Sequence, residues 1–403
     1  MALMPIADAL ALVLKDAHPL GTEDVALADA FERVLAADLP ALRTQPPANV
    51  SAMDGYAVRA ADAAAVPATL TVIGEVAAGH PYAGAVGPGE TVRIFTGGVI
   101  PDDCDAVIIQ EDTQRDGDRV TIHEAARPGR HIRRAGIDFK EGEVLLARGR
   151  KLGDRDLMVA ASMNYPRVPV QRRPSLVLFG TGDELVPPGT PARPGEIVYS
   201  NGYGIAALAS RAGASVTHAG IVADRMDDLI AAIRNVRDGG SSILVTTGGA
   251  SVGDYDLVHK ALAAEGMSLS FWKLALRPGK PMLHGRLGEM HVLGLPGNPV
   301  SAYVCSYLFL VPLIRKLSGV SPVEHSTDPA ILGRDLPEND MRAEYMRATL
   351  SRNSDGATVA TPLPVQDSSL MATLSRADCL VIRPPHAPAA KAGSPCAIVK
   401  LGL

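Results

Sequence analysis

The chain has 403 residues, more than one ordinary hydrophobic core organises, so we expect two to four domains. Its formal net charge of −5 excludes a global positive field of the kind that recruits nucleic acid, so an anionic ligand must be held by local Lys and Arg side chains. The longest apolar stretch, residues 303–314, is too short to cross a bilayer, so no membrane partner is expected. The four cysteines form no CxxC pair and no zinc-spaced cluster, which favours reduced thiols in a cytoplasmic protein.

The amino-terminal region is predicted to combine short helices with strands. Ile6, Leu10, Val13 and Leu14 are at helical spacing and predict an amphipathic helix that also contains Asp8 and Lys15, and residues 25–27 predict a short strand. Phe31, Val34 and Leu35 suggest a second helix after that strand.

A β region follows, and it contains two small-residue segments. Residues 69–122 alternate between apolar and polar side chains, with Asp116-Gly117 predicting a hairpin turn. Residues 49–58 read NVSAMDGYAV, for which an ordinary Asp-Gly hairpin turn is the favoured interpretation of the segment alone. Residues 95–98 read FTGG. Asp138 follows Arg133 and Arg134 closely, which by itself suggests only a solvated ion pair.

From Pro174 onward, apolar strands alternate with amphipathic helices. Strands are predicted over 176–179, 216–222 and 241–245, and helices between and after them. This alternation predicts a parallel sheet with right-handed crossovers, in which ligands bind beyond the carboxyl ends of the strands.

Four acids lie just past predicted strand ends, namely Glu184, Asp224, Asp254 and Asp256. Each alone is more often a helix N-cap or a solvated loop acid. Together, carboxylates beside an anion site suggest bound Mg²⁺.

A glycine-rich loop precedes the helix predicted over 254–264. It reads TTGGASVG and contains Gly248, Gly249, Ser251 and Gly253. A strand, a glycine loop and a helix N-terminus together form a geometry that binds anions, although an ordinary strand–helix turn fits the loop alone equally well.

Positive charge follows in residues 271–281, FWKLALRPGKP, where Lys273, Arg277 and Lys280 surround a Pro-Gly turn. A solvated hairpin is one interpretation, and a phosphate or oxyanion site is the other. Residues 294–303, GLPGNPVSAY, place Gly297 and Asn298 before a helix, which gives a second possible anion site. Residues 331–403 predict a small all-β domain.

Taken together and in order, these segments resemble the molybdopterin molybdenumtransferase family, which includes the cofactor-assembly half of gephyrin. The segments are NVSAMDGYAV, FTGG, RRAGIDF, GTGDEL, TTGGASVGDYD, RPGKP and GLPGNPVS. Any one of them is weak evidence, but the ordered set is specific and covers the chain from Val25 to the carboxyl terminus.

The resemblance implies a multidomain α/β plus β protein. A discontinuous helical domain would comprise residues 1–45 and 140–172, and an inserted β domain residues 46–139. A molybdopterin-binding α/β domain with a mostly parallel sheet would span 173–320, and a β-barrel-like domain 321–403. The resemblance also implies an elongated homodimer with a composite active site.

The resemblance implies that molybdenum from molybdate is inserted into adenylylated molybdopterin, with Mg²⁺-dependent release of AMP. By motif match, the implied catalytic residues are Asp54, Asp138, Glu184, Asp224 and Asp256. The implied metal ligands are Glu184, Asp224, Asp254 and Asp256. The implied substrate-binding residues are Thr96, Gly248, Gly249, Ser251, Gly253, Lys273, Arg277, Lys280, Gly297, Asn298, Arg347 and Ser368.

Two departures and two alternatives accompany this interpretation. Arg277 stands where the family often has Lys, and Cys379 where it usually has Gly in a turn. A molybdopterin adenylyltransferase usually consists of the α/β domain alone, so the additional domains argue against that activity. A non-catalytic cofactor-binding scaffold could lose the acids and cations that this chain retains. An upstream adenylyltransferase and downstream molybdoenzymes are further partners to be tested.

Overall fold

The computed structural model of the protein describes residues 3–248 and 257–402. Its α-helices are α1 (Ile6–Leu14), α2 (Asp154–Ser162), α3 (Asn201–Ala212), α4 (Met226–Asp238), α5 (Leu257–Ala264), α6 (Pro299–Cys305), α7 (Val311–Leu317) and α8 (Met371–Leu374). Short 3₁₀ helices span Leu27–Asp29, Ala60–Ala63 and Gln110–Asp112, and a π-helical turn spans Ser306–Leu310.

The strands up to residue 171 are β1 (Thr22–Ala26), β2 (Leu39–Pro40), β3 (Val50–Ser51), β4 (Gly55–Val58), β5 (Ala68–Val76), β6 (Glu90–Ile94), β7 (Ala106–Ile109), β8 (Thr113–Asp116), β9 (Arg119–Ile122), β10 (Ile132–Arg133), β11 (Val144–Leu146) and β12 (Arg167–Gln171). The later strands are β13 (Ser175–Thr181), β14 (Leu185–Val186), β15 (Ile197–Val198), β16 (Ser215–Val222), β17 (Ile243–Thr247), β18 (Ser268–Trp272), β19 (Leu276–Arg277), β20 (Leu283–Leu287), β21 (Met290–Leu295), β22 (Asp328–Leu332), β23 (Ala343–Arg352), β24 (Thr358–Pro362), β25 (Cys379–Arg383) and β26 (Pro395–Lys400).

The chain divides into two compact units. Unit 1 comprises residues up to 23, residues 32–36 and residues from 169 onward, and unit 2 comprises residues 24–31 and 37–168. Two units satisfy the expectation of more than one core, and the finer division into four domains stays a prediction.

Unit 2 is built on a six-stranded sheet in the order β7-β4-β6-β5-β9-β8. The predicted hairpin is confirmed, because β8 and β9 pair antiparallel across Asp116 and Arg119, and Gly117 has a φ of +60°. Apolar side chains cover both faces of this sheet, with Val58, Leu70 and Ile108 in one cluster and Val76 and Val92 in the other.

Unit 1 contains the predicted α/β sheet, in the order β16-β13-β17-β21-β20-β18. The first four strands are parallel, and β20 pairs antiparallel with both β21 and β18. Strands β13 and β17 are buried on both faces, which explains their continuous apolar sequences. One face packs against α1, α3 and the helix from residue 299, and the other against α4 and α5.

A second six-stranded sheet in unit 1 confirms the predicted β-rich carboxyl terminus. Its order is β19-β23-β24-β22-β26-β25, with a further pairing between β23 and β25. The strand β19 belongs to the basic segment 271–281, so that segment contributes to this sheet as well as to the α/β sheet.

One helix of the described residues, Pro299–Leu317, is long and apolar enough to cross a membrane. Its most apolar window is 83% buried, with side chains such as Val304, Phe309 and Leu313 in the core of unit 1. It is therefore the central helix of a protein core.

The predicted helix containing Phe31, Val34 and Leu35 is wrong. Its backbone pairs instead with a segment far along the chain, since the Gln171 N–H donates to the Val34 carbonyl at 2.8 Å, and Leu35 forms an antiparallel bridge with Val170. Phe31 is 53% exposed, so it packs into no helical core.

The Asp54-Gly55 segment is not the turn of a hairpin. The flanking strands β3 and β4 do not pair with each other, because β3 pairs with β10 while β4 lies between β6 and β7. Gly55 is needed for another reason: a Cβ there would lie well within 3.0 Å of the Ile108 carbonyl.

Candidate functional site

The parallel strands of the α/β sheet bring their carboxyl ends to one edge. Strands β13, β16, β17 and β21 end at Thr181, Val222, Thr247 and Leu295. Glu184, Asp224, Gly248 and Gly297 each follow one of these ends within three residues. The sheet therefore places these four predicted site residues along the same edge, as its topology requires.

Acidic side chains gather at this edge. The Thr181 hydroxyl donates to Asp224 Oδ1 at 3.3 Å. The pKa of Asp224 is raised, first by partial burial, and further by the nearby charges of Asp183 and Glu184, while the Thr181 bond opposes the rise. Mutual repulsion of this kind favours a cation between the carboxylates.

Two of the predicted metal ligands, Asp254 and Asp256, lie outside the described residues, as do Gly249, Ser251 and Gly253. Within residues 3–248 and 257–402 no group of three or more His, Cys, Asp or Glu side chains could hold a metal ion. Glu184 and Asp224 are thus the described part of the predicted acidic site.

Gly248 begins the glycine-rich loop directly after β17. Its φ is +87°, and an added Cβ would lie well within 3.0 Å of the Thr181 carbonyl on β13. The backbone at Gly248 therefore passes against the end of the neighbouring strand, and only glycine allows both the conformation and the approach at this position.

The basic segment is not a free hairpin. Arg277 lies in β19, beside Glu344 of β23, and forms ion pairs with Asp340 and Glu344, the latter at 3.9 Å. The Cys305 thiol contacts the Gly279 carbonyl at 3.6 Å, which places the turn against the helix that begins at Pro299. The cations are thus anchored between the α/β sheet and the carboxyl-terminal sheet of unit 1.

The GLPGNP loop connects the same two sheets. The Asn298 amide donates to the Ser368 hydroxyl at 2.9 Å, and the Val300 N–H donates to the Ser368 carbonyl at 3.0 Å. The Asn201 amide, in the first turn of α3, donates to the Gly297 carbonyl at 2.7 Å. Asn298 and Ser368, predicted from segments 70 residues apart, therefore lie in direct contact.

Arg347, on β23, is a buried cation with neutral partners. It is 1% exposed, and it donates to the Gln366 side-chain carbonyl at 3.2 Å and the Asp367 main-chain carbonyl at 3.0 Å. Burial lowers its pKa, and the nearby Asp367 charge opposes that shift. Among the residues that the structure describes, Nη2 has no hydrogen-bond partner. A buried guanidinium costs much free energy unless an anion compensates it.

Unit 2 holds the remaining three predicted residues. Asp54 Oδ1 accepts hydrogen bonds from the Thr96 backbone N–H at 2.7 Å and from the Thr96 hydroxyl at 2.8 Å. These bonds lower the pKa of Asp54. Asp138 is exposed, its N–H donates to the Gln45 carbonyl at 3.1 Å, and no ion pair joins it to Arg133 or Arg134 in the part of the chain described.

Sequence reasoning missed four residues of the site in unit 1. Asn201 donates a hydrogen bond to Gly297, and Thr181 donates one to Asp224. Asp183 adds negative charge near Asp224. The Trp272 ring lies beneath the Lys273 ammonium. Two sequence signals could have indicated them: Asn201 lies at the start of a helix, and Thr181 lies at the end of a strand.

Three family models match successive parts of the chain. They are described as the MoeA N-terminal region (domain I and II), over residues 4–164, a probable molybdopterin binding domain, over 178–316, and the MoeA C-terminal region (domain IV), over 329–401.

Two relatives match over nearly the full length of the chain. The chain is 33% identical to the molybdopterin molybdenumtransferase of Haemophilus influenzae over 366 residues, which is 90% of each chain. It is 33% identical to that of Bacillus subtilis over 390 residues, 94% of this chain and 90% of the relative. The crystal structure of the molybdopterin biosynthesis MoeA protein from Pyrococcus horikoshii matches with a TM-score of 0.85 and 28% identity over 100% of both chains.

Proposed function

The chain belongs to the molybdopterin molybdenumtransferase family, and from this membership we propose that it inserts molybdenum from molybdate into adenylylated molybdopterin. In this reaction the adenylate is hydrolysed, AMP leaves, and molybdenum is bound by the dithiolene sulfurs of the pterin. The substrate brings its own sulfurs, so the protein needs no cysteine nucleophile. This fits the four cysteines, none of which forms a disulfide and three of which are buried.

The observation that carries the proposal is the buried charge of Arg347. Among the described residues its guanidinium donates hydrogen bonds only to neutral groups and forms no ion pair, although the nearby Asp367 carboxylate attracts its charge. Asp367 is next to Ser368, which in turn contacts Asn298 at the start of α6. Molybdate is a small dianion that offers few contacts except to cations and hydrogen-bond donors. An anion at Arg347 would remove the cost of burying its charge.

The larger substrate has a different requirement. The phosphates of adenylylated molybdopterin need donors and cations, which the glycine-rich loop from Gly248, the amino end of α6 and the side chains of Lys273 and Lys280 supply in this proposal. Arg277 already forms ion pairs with Asp340 and Glu344, so in this proposal its charge is shared between those acids and a ligand.

Mg²⁺ fits the acids at the sheet edge. Magnesium prefers carboxylate oxygens. Partial burial raises the pKa of Asp224, and the charges of Asp183 and Glu184 raise it further, so a cation there would relieve repulsion. In the proposal Glu184 and Asp224 hold the ion together with Asp254 and Asp256 of the adjoining loop. When bound, the ion would neutralise charge on the phosphates.

We further propose that the active enzyme is a homodimer with composite sites. Asp54 and Thr96 belong to unit 2, while Glu184, Asp224 and Arg347 belong to unit 1, so an isologous dimer could join unit 2 of one chain to unit 1 of its partner. The Thr96–Asp54 pair keeps the Asp54 carboxylate ionised, as a charged site residue requires.

Subunit mixing tests the composite site. Asp54→Ala and Glu184→Gln proteins should each be inactive. After subunit exchange, half of the dimers are mixed and each has one intact cleft, so about a quarter of the wild-type activity should return. If exchange is demonstrated by differently tagged subunits and no activity returns, each chain builds its own site.

The reaction itself is tested by AMP release. The protein is incubated with adenylylated molybdopterin, molybdate and Mg²⁺, and AMP is quantified against reactions that lack one component. We expect AMP release that depends on molybdate and on the divalent cation. Release of pyrophosphate from ATP and molybdopterin would instead identify an adenylyltransferase, and tight binding without turnover would identify a scaffold. We place the reaction in the cytoplasm, where thiols such as Cys104 and Cys396 stay reduced.

A further inference from the structure

Trp272 is the only tryptophan of the chain, and it lies at the carboxyl edge of the α/β sheet. Strand β18 runs parallel to β21, because each pairs antiparallel with β20. The register aligns Trp272 with Leu283, Gly294 and Thr246 in one row. Three strand spacings thus separate Trp272 from Thr246, about 14 Å, which brings Trp272 to the level where the glycine-rich loop begins.

The indole ring makes two contacts with chemically distinct groups. His259, on the helix that follows the glycine-rich loop, stacks on it with ring centroids 4.9 Å apart and an interplanar angle of 26°. The Lys273 ammonium lies over the ring at 5.3 Å from its centroid. The indole therefore contacts both a basic residue of the site and α5, the helix that follows the glycine-rich loop.

The backbone of Lys273 adds a constraint. Its φ is +85°, a conformation that lysine rarely adopts. It is held there by two backbone hydrogen bonds, from the Lys273 N–H to the Met282 carbonyl at 3.1 Å and from the Met4 N–H to the Lys273 carbonyl at 3.1 Å. A non-glycine residue held in the left-handed region is a common mark of a functional site.

We propose that Trp272 is a positioning residue that holds the Lys273 ammonium in place for a phosphate of the substrate. The fixed backbone aims the side chain, and the negative face of the indole attracts the charge without neutralising it, as a carboxylate would. Among the residues that the structure describes, no carboxylate forms an ion pair with Lys273, whereas Arg277 has two acidic partners. This inference rests on the proposed function, in which Lys273 binds the substrate.

The neighbouring residue provides a matched control. Phe271 is also in β18 and is buried, but its side chain packs on the opposite face of the sheet, with the cluster that contains Leu274 and Leu276. Replacing either residue by leucine shortens an aromatic side chain of the same strand. Only Trp272→Leu removes the surface under Lys273.

The test is a double-mutant cycle read by equilibrium binding of adenylylated molybdopterin. Trp272→Leu should weaken binding roughly threefold to tenfold relative to Phe271→Leu, the range expected for one cation–π contact. Trp272→Phe, which keeps an aromatic face, should recover much of this loss. In the Lys273→Met background, Trp272→Leu should have no further effect.

The outcomes separate the two proposals. If Lys273→Met leaves binding unchanged, Lys273 is not a substrate ligand, and that part of the proposed function fails. The positioning role is wrong if Lys273→Met weakens binding but Trp272→Leu binds the substrate as tightly as Phe271→Leu does. It is also wrong if Trp272→Leu weakens binding as much in the Lys273→Met background as in the wild type. The fluorescence of the sole tryptophan gives a further readout: substrate binding should change the wild-type emission more than that of Lys273→Met.

Discussion

Replacing Gly248 by alanine would place a methyl group where two strands leave no space. Gly248 follows β17 with a φ of +87°, and its added Cβ would lie well within 3.0 Å of the Thr181 carbonyl on β13. Gly240, which precedes the same strand, is a matched control, since its φ is +70° and nothing lies within 4 Å of an added Cβ. Both substitutions carry the same conformational strain, and only one adds a steric clash.

The expected costs follow from that difference. An alanine in the left-handed region costs roughly 1–2 kcal/mol, which both variants lose. Overpacking against a backbone atom that must move adds about 1–3 kcal/mol, which only Gly248→Ala loses. The free energy of unfolding should therefore fall by about 2 kcal/mol more for Gly248→Ala than for Gly240→Ala.

Function should separate the two variants more strongly than stability does. The Thr181 carbonyl that must move belongs to the residue whose hydroxyl donates to Asp224 at 3.3 Å. Gly248→Ala should thus disturb both the glycine-rich loop and the Asp224 carboxylate. It should reduce AMP release at least tenfold, a loss typical of one misplaced electrostatic group. Gly240→Ala should retain the wild-type rate.

Urea denaturation and AMP release measure these two effects. Equal unfolding free energies for the two variants would show that the loop adapts without cost, and the close approach of Gly248 to Thr181 would not constrain the fold. Wild-type turnover in a folded Gly248→Ala protein would remove this end of β17 from the site.

Three further predictions concern buried and ionised groups. Burial, together with the nearby Arg286 charge, lowers the pKa of His284 to about 4 and that of His291 to about 3. As the pH falls below 6.5, these two histidines bind protons in the unfolded chain but not in the folded one, so their contribution to stability is fully present only above that pH. The free energy of unfolding should fall by up to about 4 kcal/mol for the pair between pH 7 and pH 5. Urea denaturation at each pH measures this, and a free energy of unfolding that does not change with pH would contradict the prediction. Cys379→Gly should lower the unfolding free energy by about 2 kcal/mol, because Cys379 is buried in β25 and glycine weakens strands; an unchanged midpoint in urea would contradict this. Thr96→Val removes one of the two hydrogen bonds to Asp54 and should raise the pKa of that carboxyl, which carbon-detected NMR titration would show; an unmoved titration curve would assign the effect to the backbone bond alone.

The α/β sheet of unit 1 could be predicted because its signal is local. Each buried strand is a short apolar run, and each helix has its own period, so the alternation itself indicates a parallel sheet. The strand ends then locate Glu184 and Asp224 at one edge without any knowledge of packing.

Features that depend on distant pairing could not be predicted in this way. Phe31, Val34 and Leu35 have helical spacing, but residues 34 and 35 pair with residues 171 and 170, more than 130 positions away. Asp54-Gly55 has the composition of a hairpin turn, but its flanking strands have other partners. Tertiary pairing outweighs local preference in both cases.

In the candidate site, too, the features that depend on distant pairing could not be predicted from local sequence. Cys379 was expected to disturb a turn, but the structure places it in extended backbone at the start of β25, paired with Ala348. The burial of Arg347 was also unpredictable, because arginine is mostly exposed and its burial follows from the strand β23 that carries it. Composition indicates which residues can bind an anion, and packing determines which buried arginine has a donor without a hydrogen-bond partner among the described residues.

The most direct test of the account compares two buried arginines of the carboxyl-terminal sheet. Arg383 donates to the carbonyls of Pro337 and Pro388 at 2.9 and 2.6 Å, whereas the Arg347 Nη2 has no partner among the described residues. The measurement is the molybdate concentration for half-maximal AMP release in folded Arg347→Met and Arg383→Met proteins. We expect Arg347→Met to raise it at least tenfold with little change in the affinity for adenylylated molybdopterin, and Arg383→Met to leave it near the wild-type value. An unchanged molybdate requirement in Arg347→Met would contradict the assignment of the buried charge to the molybdate site.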